Sequence, residues 1–439
     1  MFQRNVYPHL ASWKNNPGRR PLIVRGARQV GKTHLIREFG KKEYQQFSEI
    51  NFERNPEFKE VFSTYNPKEI VEKLSLFFGK NISSDNHLLF LDEIQECPQA
   101  ITSLRYFFEE MPGFHVISAG SLLEFVLESQ NFKVPVGRIQ YLFMYPMSFA
   151  EYLSAMNEVS LRDYLLNSEN LKSIPDIIHN KLIEFIRKYF MLGGMPGVLM
   201  EYLNSGDMIK CQQIQKSILD TYLDDFSKYS SQIKQRYLQK VFHAVPLMIG
   251  DKFVYANVDN TIKSRELKEA FGLLEMAGVI RRVRRTSGEG YPFEINSQDA
   301  YFKAIFLDVG LIHSMQNIYV ETIQSKELSA VFRGIVAEQF VGQEILANSS
   351  PFSKPSLYYW ARDARGSNAE IDYLIAIKNQ PIPIEVKSGS AGHLKSINLY
   401  MDTYNLQKGI KISHARFDNL KRIVSFPLYA MESIEWSIG

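Results

Sequence analysis

Cysteine, net charge and long apolar runs are all scarce in this sequence. Its 439 residues include two cysteines, Cys97 and Cys211, whose wide separation predicts neither a disulfide framework nor a CxxC metal or redox site. The 51 basic and 48 acidic residues leave a net charge of +3, so the chain as a whole is no polycation suited to nucleic acid. No apolar run approaches the roughly 20 residues of a transmembrane helix, and the first residues lack the apolar core of a signal peptide. We therefore expect a cytoplasmic protein with no membrane association.

Sequence patterning divides the chain into four segments. Short apolar stretches alternate with helical ones over residues 1–150, which is typical of a parallel sheet covered by helices. Residues 151–230 show helical periodicity, and two helices followed by a basic ribbon make residues 231–315 resemble a winged helix-turn-helix. Residues 316–439 return to an α/β pattern. We therefore predict an α/β protein of four domains with these boundaries.

The loop after the first strand candidate matches the pattern G-x-x-x-x-G-K-[ST], since residues 26–33 read GARQVGKT. Glycines let backbone N–H groups turn toward phosphates, and the helix that follows directs the positive end of its dipole at them. Lys32 can reach the β- and γ-phosphates, and the Thr33 hydroxyl can ligate Mg²⁺. The alternative, a chance glycine-rich turn, is disfavoured by the strand before the loop and the helix after it. The predicted nucleotide-binding residues are Gly26, Ala27, Arg28, Gln29, Val30, Gly31, Lys32, Thr33 and His34.

A second acidic element accompanies the loop. The apolar run LLFL ends in Asp92 and Glu93, which is typical of a strand buried on both faces whose carboxyl end carries acids. We expect Asp92 to hold Mg²⁺ through water and Glu93 to polarise the attacking water. Acids that merely end a strand at the surface are the alternative, but their combination with Lys32 favours ATP hydrolysis.

These segments together resemble the prokaryotic AAA-family ATPases that carry a C-terminal DUF4143 domain. The resemblance extends over residues 2–430 and rests on GARQVGKT, LFLDEIQ, ISAGSLLEF, GRIQYLFMYPMSFAEYL and LGGMPGVL. It implies an AAA+ P-loop NTPase core at residues 1–150 and a helical lid after it. It also places Ser118 or Ser121 at the sensor-1 position, and Arg138 as an arginine finger that reaches the γ-phosphate of a neighbouring subunit. A solvated arginine at the start of a strand is the alternative for Arg138.

A separate acidic group lies near the C-terminus. Asp372 and Glu385 fall on two successive strand candidates, which as an antiparallel pair bring both carboxylates to one edge, and Lys387 shares the face of Glu385. Such a set, with Glu338 from the preceding helix, can hold Mg²⁺ and activate water. The order resembles the PD-(D/E)xK nuclease superfamily, which implies a restriction-endonuclease-like fold for residues 316–439. Surface ion pairs and a decayed nuclease kept as a binding module are the alternatives.

The densest positive run contains Arg281, Arg282, Arg284 and Arg285. In a wing this ribbon could lie against phosphates, although a solvated charged face is the plainer interpretation.

Two main functions stay open for the whole chain. One is a Mg²⁺-dependent AAA+ ATPase whose nucleotide state is coupled to a nucleic-acid-associated or nuclease-like C-terminal domain, with ATP and Mg²⁺ as cofactors. The other is a nucleotide-switched signalling or scaffold protein whose C-terminal domain is catalytically inactive. In a third version the nuclease is the working enzyme and ATP gates it. The partners considered are DNA or RNA and further copies of this chain.

Overall fold

A computed structural model describes residues 2–82, 86–121, 123–127, 137–229, 232–316, 330–362, 369–387, 394–420 and 422–434. The predicted boundary at 230 and 231 falls outside these residues, as does Leu122 of the segment ISAGSLLEF. The chain forms two units. The N-terminal unit contains Gln3–Tyr145 and Ser350–Lys354, and the C-terminal unit contains Pro146–Ser349 and the chain from Pro355 onward.

A five-stranded parallel sheet forms the centre of the N-terminal unit, as the alternation over residues 1–150 predicts. The strand order is β2-β3-β4-β1-β5, and every neighbouring pair is parallel. The strands are β1 (Leu22–Arg25), β2 (Gln46–Asn51), β3 (His87–Asp92), β4 (His115–Ala119) and β5 (Gln140–Phe143). The helices of this unit are α1 (Tyr7–Asn15), α2 (Lys32–Glu43), α3 (Pro67–Phe78), α4 (Pro98–Glu110) and α5 (Leu123–Leu127).

Strand β3 runs through the core of this unit. All six of its residues are buried, which confirms the interpretation of LLFL as a strand covered on both faces. Leu89 and Leu91 belong to one apolar cluster, which also contains Phe107 of α4. Because the strands are parallel, the carboxyl ends of β1 and β3 lie at the same edge of the sheet, where loops are free to bind a ligand.

The C-terminal unit combines a helical part with a mixed eight-stranded sheet of order β12-β13-β11-β10-β9-β8-β6-β7. Its strands are β6 (Ile280–Thr286), β7 (Ser297–Phe306), β8 (Leu357–Ala361), β9 (Glu370–Ile377), β10 (Gln380–Val386), β11 (Gly409–Ser413), β12 (Asp418–Leu420) and β13 (Ile423–Pro427). The helices that precede β6 are α6 (Phe149–Ala155), α7 (Val159–Leu166), α8 (Ser168–Lys172), α9 (Asp176–Leu192), α10 (Pro196–Ser205), α11 (Met208–Tyr229), α12 (Gln232–Ala244), α13 (Tyr255–Val258) and α14 (Ser264–Met276). Those that follow β7 are α15 (Val309–Met315), α16 (Ala330–Ala347) and α17 (Lys395–Thr403). In the ranges that the structure describes, each helix of either unit is too short or too polar to cross a bilayer.

The basic ribbon is the hairpin of β6 and β7. Helices α12, α13 and α14 precede it, in the order that the winged-helix prediction expects. However, β6 pairs with β7 on one side and in parallel with β8 on the other. The hairpin is therefore two strands of the large sheet and not a freestanding wing. The burial of Val283 and Arg285 on β6 reflects this second neighbour.

A buried joint explains the glycine-rich segment at 193–197. The Asp308 carboxylate is fully buried, accepts the N–H of Gly194 at 2.6 Å and caps α15 by accepting the N–H of Gly310 at 3.0 Å. A Cβ on Gly193 would lie 1.9 Å from Asp308 Oδ1, and one on Gly194 would lie 2.2 Å from the Met147 carbonyl oxygen. These glycines are therefore required by close backbone approach, which serves the packing of the C-terminal unit.

Candidate functional site

The loop between β1 and α2 has the backbone of a phosphate cradle. Gly26, Gln29 and Gly31 have φ values of 148°, 64° and 95°, which turn the chain sharply between the strand and the helix. A Cβ on Gly26 would lie 2.2 Å from the Met144 carbonyl oxygen, so only glycine fits there. Helix α2 starts without a side-chain cap, which leaves the N–H groups of its first turn for a ligand.

Lys32, the first residue of α2, points back into this loop. Its Nζ donates to the carbonyl oxygens of Gly26 at 2.9 Å and Ala27 at 2.8 Å. Burial lowers the pKa of Lys32 to about 8, although the charges of Glu93 and Asp92 oppose this shift. The ammonium is thus held at the loop, close enough to both acids to sense their charges.

Thr33 and Asp92, the two predicted metal ligands, are in contact. Thr33 Oγ1 donates to the Asp92 carboxylate, with distances of 3.2 and 3.3 Å to its two oxygens. Burial and then the charge of Glu93 raise the pKa of Asp92 to about 6. A hydroxyl and a single buried carboxylate fit Mg²⁺, which binds through one or two carboxylates while substrate phosphates and water complete its shell.

Asn51 is a third member of this group that sequence reasoning missed. Its Nδ2 donates to Asp92 Oδ2 at 3.1 Å and so orients the carboxylate. The pairing of β2 with β3 places Asn51 directly beside Asp92. The sequence does show a polar residue at the carboxyl end of this strand candidate. It does not show that this strand lies next to the strand of Asp92, which is what brings the two side chains together.

Glu93 has an unusual backbone and a side-chain partner. Its φ of 48° lies in the left-handed region, which is uncommon for a residue other than glycine and often marks a functional site. Gln95 Nε2 donates to Glu93 Oε2 at 2.7 Å. The Gln95 side chain lies against the end of β4, where a Cβ on Gly120 would be 2.2 Å from Gln95 Oε1. Gln95, also missed from the sequence, therefore fixes the position of the Glu93 carboxylate.

The two sensor candidates differ in their surroundings. Ser118 is fully buried inside β4, and its hydroxyl donates to the Leu22 carbonyl oxygen at 3.3 Å. Ser121 follows the strand at its carboxyl end, on the side where the loop of β1 also lies. The position of Ser121 therefore fits a residue that senses bound nucleotide better than the position of Ser118 does.

Arg138 lies in an exposed ion pair within the N-terminal unit. Its Nε is 2.8 Å from Glu109 Oε1, which Arg105 also contacts at 3.1 Å, and 45% of the Arg138 side chain is exposed. The hydrogen bonds from Arg138 and then Arg105 lower the pKa of Glu109. Both the solvated-arginine interpretation and the arginine-finger prediction are compatible with this exposed position.

Arg4 is a further buried residue that the sequence did not single out. One guanidinium nitrogen donates to the Val30 carbonyl oxygen at 2.8 Å, and the other donates to that of Tyr145 at 2.7 Å. Arg4 thereby ties the phosphate-loop backbone to the chain just after β5.

The four C-terminal candidates come together, but with an additional lysine among them. Strands β9 and β10 are antiparallel, as predicted, and Asp372 Oδ2 accepts the N–H of Val386 at 2.7 Å. Lys387 pairs with Glu385 on β10. Lys303 of β7, which the sequence did not indicate, contacts Glu338 and Asp372. Among the described residues, no group of three or more His, Cys, Asp or Glu side chains is arranged to hold a metal ion.

Arg282, Arg284 and Arg285 of the ribbon have partners within the C-terminal unit. Arg282 lies between the rings of Phe271 and Phe302, at 4.9 and 5.0 Å from their centroids, and pairs with a glutamate of α14. Arg284 pairs with Asp299 across the hairpin. Arg285 is buried and donates to a backbone carbonyl of β8. These contacts are more typical of arginines with a structural role than of arginines on a phosphate-binding surface.

Comparison with protein-family models identifies three domains. An AAA domain matches residues 18–153, a domain of unknown function (DUF8612) matches residues 183–322, and a second one (DUF4143) matches residues 333–428. No curated protein matches the chain.

This chain is distantly similar to several solved structures. A Walker-type ATPase of Pyrococcus abyssi is 18% identical over 72% of this chain and 96% of its own length, with a TM-score of 0.45. The ORC2 protein of Aeropyrum pernix, solved with ADPNP and ADP, is 14% identical over 75% of this chain and 96% of its own, with a TM-score of 0.39. Neither is similar enough to carry an argument about function. The family models thus match an AAA domain at residues 18–153 and a DUF4143 domain at residues 333–428 of this chain, and the parallel sheet with its phosphate loop lies in the first of them.

Proposed function

We propose that the N-terminal unit binds ATP with Mg²⁺ and hydrolyses it. The observation that carries the proposal is the meeting of Lys32, Thr33, Asp92 and Glu93 at one edge of the parallel sheet. Lys32 is already held at the loop by two carbonyl oxygens, which a phosphate oxygen would replace. This set supplies a cation, a hydroxyl and two carboxylates of separate roles, which is what phosphoryl transfer to water requires.

Each side chain has a distinct task in the proposed reaction. The N–H groups of the loop and the Lys32 ammonium neutralise the phosphates, while Thr33 and Asp92 would hold Mg²⁺. When held there, Mg²⁺ would supply positive charge that stabilises the phosphate oxygens. Glu93, oriented by Gln95, accepts a proton from the attacking water.

Two substitutions separate binding from hydrolysis. Lys32→Ala should lose both the thermal stabilisation by Mg²⁺ and ATP and the release of phosphate. Glu93→Gln should keep the stabilisation but lose about 10²–10⁴-fold in turnover, which is the usual contribution of a general base. Lys41→Ala, an exposed change on the same helix, is the matched control and should behave as wild type. Undiminished phosphate release by Lys32→Ala would contradict the proposal.

Arg138 is the proposed contribution of a neighbouring copy to this site. Its exposed pair with Glu109 is easily exchanged, because such ion pairs contribute little to stability. Arg138→Ala should therefore lower turnover at high protein concentration without lowering thermal stability, whereas Arg105→Ala should leave both unchanged. Equal turnover of the two variants would assign Arg138 to the solvated surface.

The proposed coupling to the C-terminal unit has two versions, in which that unit is nuclease-like or catalytically inactive. The burial of Arg285 and the engagement of Arg282 within the unit favour the second version, since phosphate binding needs cations that are free to exchange. The exposed pair of Arg284 with Asp299 is exchangeable, so Arg284 is the arginine that tests the other version. A nucleotide-switched protein should then bind DNA or RNA weakly and show no salt-dependent affinity beyond that of a neutral control protein. Tight, salt-sensitive binding that Arg284→Ala reduces would support the nucleic-acid version instead.

A further inference from the structure

The carboxylate cluster of the C-terminal unit is built around a lysine. Lys303 Nζ lies 2.6 Å from Glu370 Oε1, 3.0 Å from Glu338 Oε1 and 3.8 Å from Asp372 Oδ1. The lysine side chain is 2% exposed, so it cannot swing into water without opening the fold. Three carboxylates from helix α16 and strand β9 thus converge on one ammonium group, which has three hydrogens to donate.

This arrangement differs from what the nuclease resemblance predicts. That resemblance requires Glu338, Asp372 and Glu385 to converge on Mg²⁺, with Lys387 beside them. Instead, Lys303 contacts the carboxylates of Glu338 and Asp372, and a positive ammonium group at this point repels a divalent cation. The residues therefore do not fit the metal, although they fit a lysine.

The remaining carboxylate oxygens have few openings for a metal. Asp372 Oδ2 accepts the backbone N–H of Val386 at 2.7 Å, and Glu385 Oε1 is taken by Lys387. Glu385 Oε2 is buried and has no hydrogen-bond partner among the described residues. Burial, reinforced by the charge of Asp372, raises the pKa of Glu385 to about 7.

The charges of the acids also retain the lysine in its charged form. Burial alone would lower the pKa of Lys303, but the carboxylates of Glu338, Asp372 and Glu370 hold it well above its usual value. The backbone around the cluster is fixed as well, since the Tyr373 hydroxyl donates to the Glu338 carbonyl oxygen at 2.9 Å. Its burial and its three carboxylate contacts thus hold the ammonium inside the cluster.

We propose that Lys303 is the resident cation of the Glu338, Glu370 and Asp372 cluster, so that the C-terminal unit is closed to divalent metal and joins β7 to α16 and β9 by charge. This inference does not depend on ATP hydrolysis, because all of these residues belong to the C-terminal unit. It also gives a physical cause for a catalytically inactive C-terminal unit, because an internal cation lies where a nuclease would hold its metal.

The test is a titration of the full chain with Mn²⁺, followed by electron paramagnetic resonance without nucleotide. Wild type and Asp372→Asn should bind the same amount of Mn²⁺. Lys303→Met removes the ammonium but keeps an unbranched side chain that is one atom shorter. This variant should gain one Mn²⁺ per chain, which the added change Asp372→Asn abolishes. Lys395→Met, an exposed change in α17, is the matched control and should gain none.

Two results would overturn the proposal. One is a wild-type Mn²⁺ site, or metal-dependent cleavage of plasmid or single-stranded DNA, that is lost in Asp372→Asn. The other is a folded Lys303→Met protein with no gain of Mn²⁺, because the cluster would then not be a cation site. Where Lys303→Met does not fold, the comparison of wild type with Asp372→Asn decides alone. Retained ATP turnover in all these variants keeps the result separate from the fate of the ATPase proposal.

Discussion

Replacing Asp308 by alanine should destabilise the C-terminal unit by about 2–4 kcal/mol. The Asp308 carboxylate caps α15 through the N–H groups of Gly310 and Leu311, and loss of such a cap costs about 1 kcal/mol. It also accepts the buried N–H of Gly194, which without an acceptor costs about 1–3 kcal/mol. Gln343 contributes little to the loss, because its amide keeps the Tyr189 hydroxyl as a second partner at 2.9 Å.

Guanidinium unfolding followed by tryptophan fluorescence can measure this loss. A Trp13→Phe background removes the tryptophan of the N-terminal unit, so the remaining signal reports on the C-terminal unit. The measurement should be made at pH 7.5. Burial raises the pKa of Asp308 to about 6, so the side chain is a carboxylate at this pH. The midpoint should fall while the denaturant slope stays constant, since the substitution does not change the surface exposed on unfolding.

The matched control is Asp299→Ala, which removes an aspartate that is 79% exposed and pairs with Arg284. An exposed ion pair contributes at most about 1 kcal/mol, so this control should shift the midpoint slightly. A loss below about 1 kcal/mol for Asp308→Ala would refute the reasoning that this carboxylate, and not the apolar packing around it, holds the joint at Gly194.

Two further predictions concern the nucleotide site. Gly26→Ala should lose the thermal stabilisation by Mg²⁺ and ATP, because its Cβ would lie 2.2 Å from the Met144 carbonyl oxygen, whereas Gly18→Ala, with 3.5 Å to its nearest neighbour, should retain it; equal stabilisation of both would show that the loop tolerates a side chain. The affinity for Mg²⁺ and ATP should fall as the pH drops below about 6, because Asp92, whose pKa is raised to about 6, takes up a proton there and loses the charge that binds metal. Calorimetric titrations from pH 5 to 8 can measure this fall in wild type. The variant Asp92→Asn shows how much of the fall comes from the titration of ATP itself, and wild type should lose more affinity than this variant. Identical pH profiles of the two proteins would argue against metal binding by Asp92.

Local patterns of the sequence determined that the N-terminal unit contains a parallel sheet whose strands alternate with helices. The phosphate loop occupies eight consecutive residues, so its glycines and Lys32 are brought together by the chain itself. The buried run that ends in Asp92 predicts a strand for the same reason, because burial on both faces excludes polar residues from it. The ends of parallel strands then place Thr33 and Asp92 at one edge without further information.

Long-range pairing decided everything that the sequence left open. Asn51 reaches Asp92 only because β2 pairs with β3 in one register, and a shift by one residue would turn its side chain to the other face. Lys303 enters the acidic cluster because the ribbon hairpin joins the sheet through β8, which its basic composition gives no means to predict. Gly193 and Gly194 were visible as a motif, but Gly193 makes room for the Asp308 carboxylate and Gly194 for the Met147 carbonyl oxygen, both of which are distant in sequence. Periodicity encodes which face of an element is buried, whereas the partner that buries it is chosen by the packing of the whole unit.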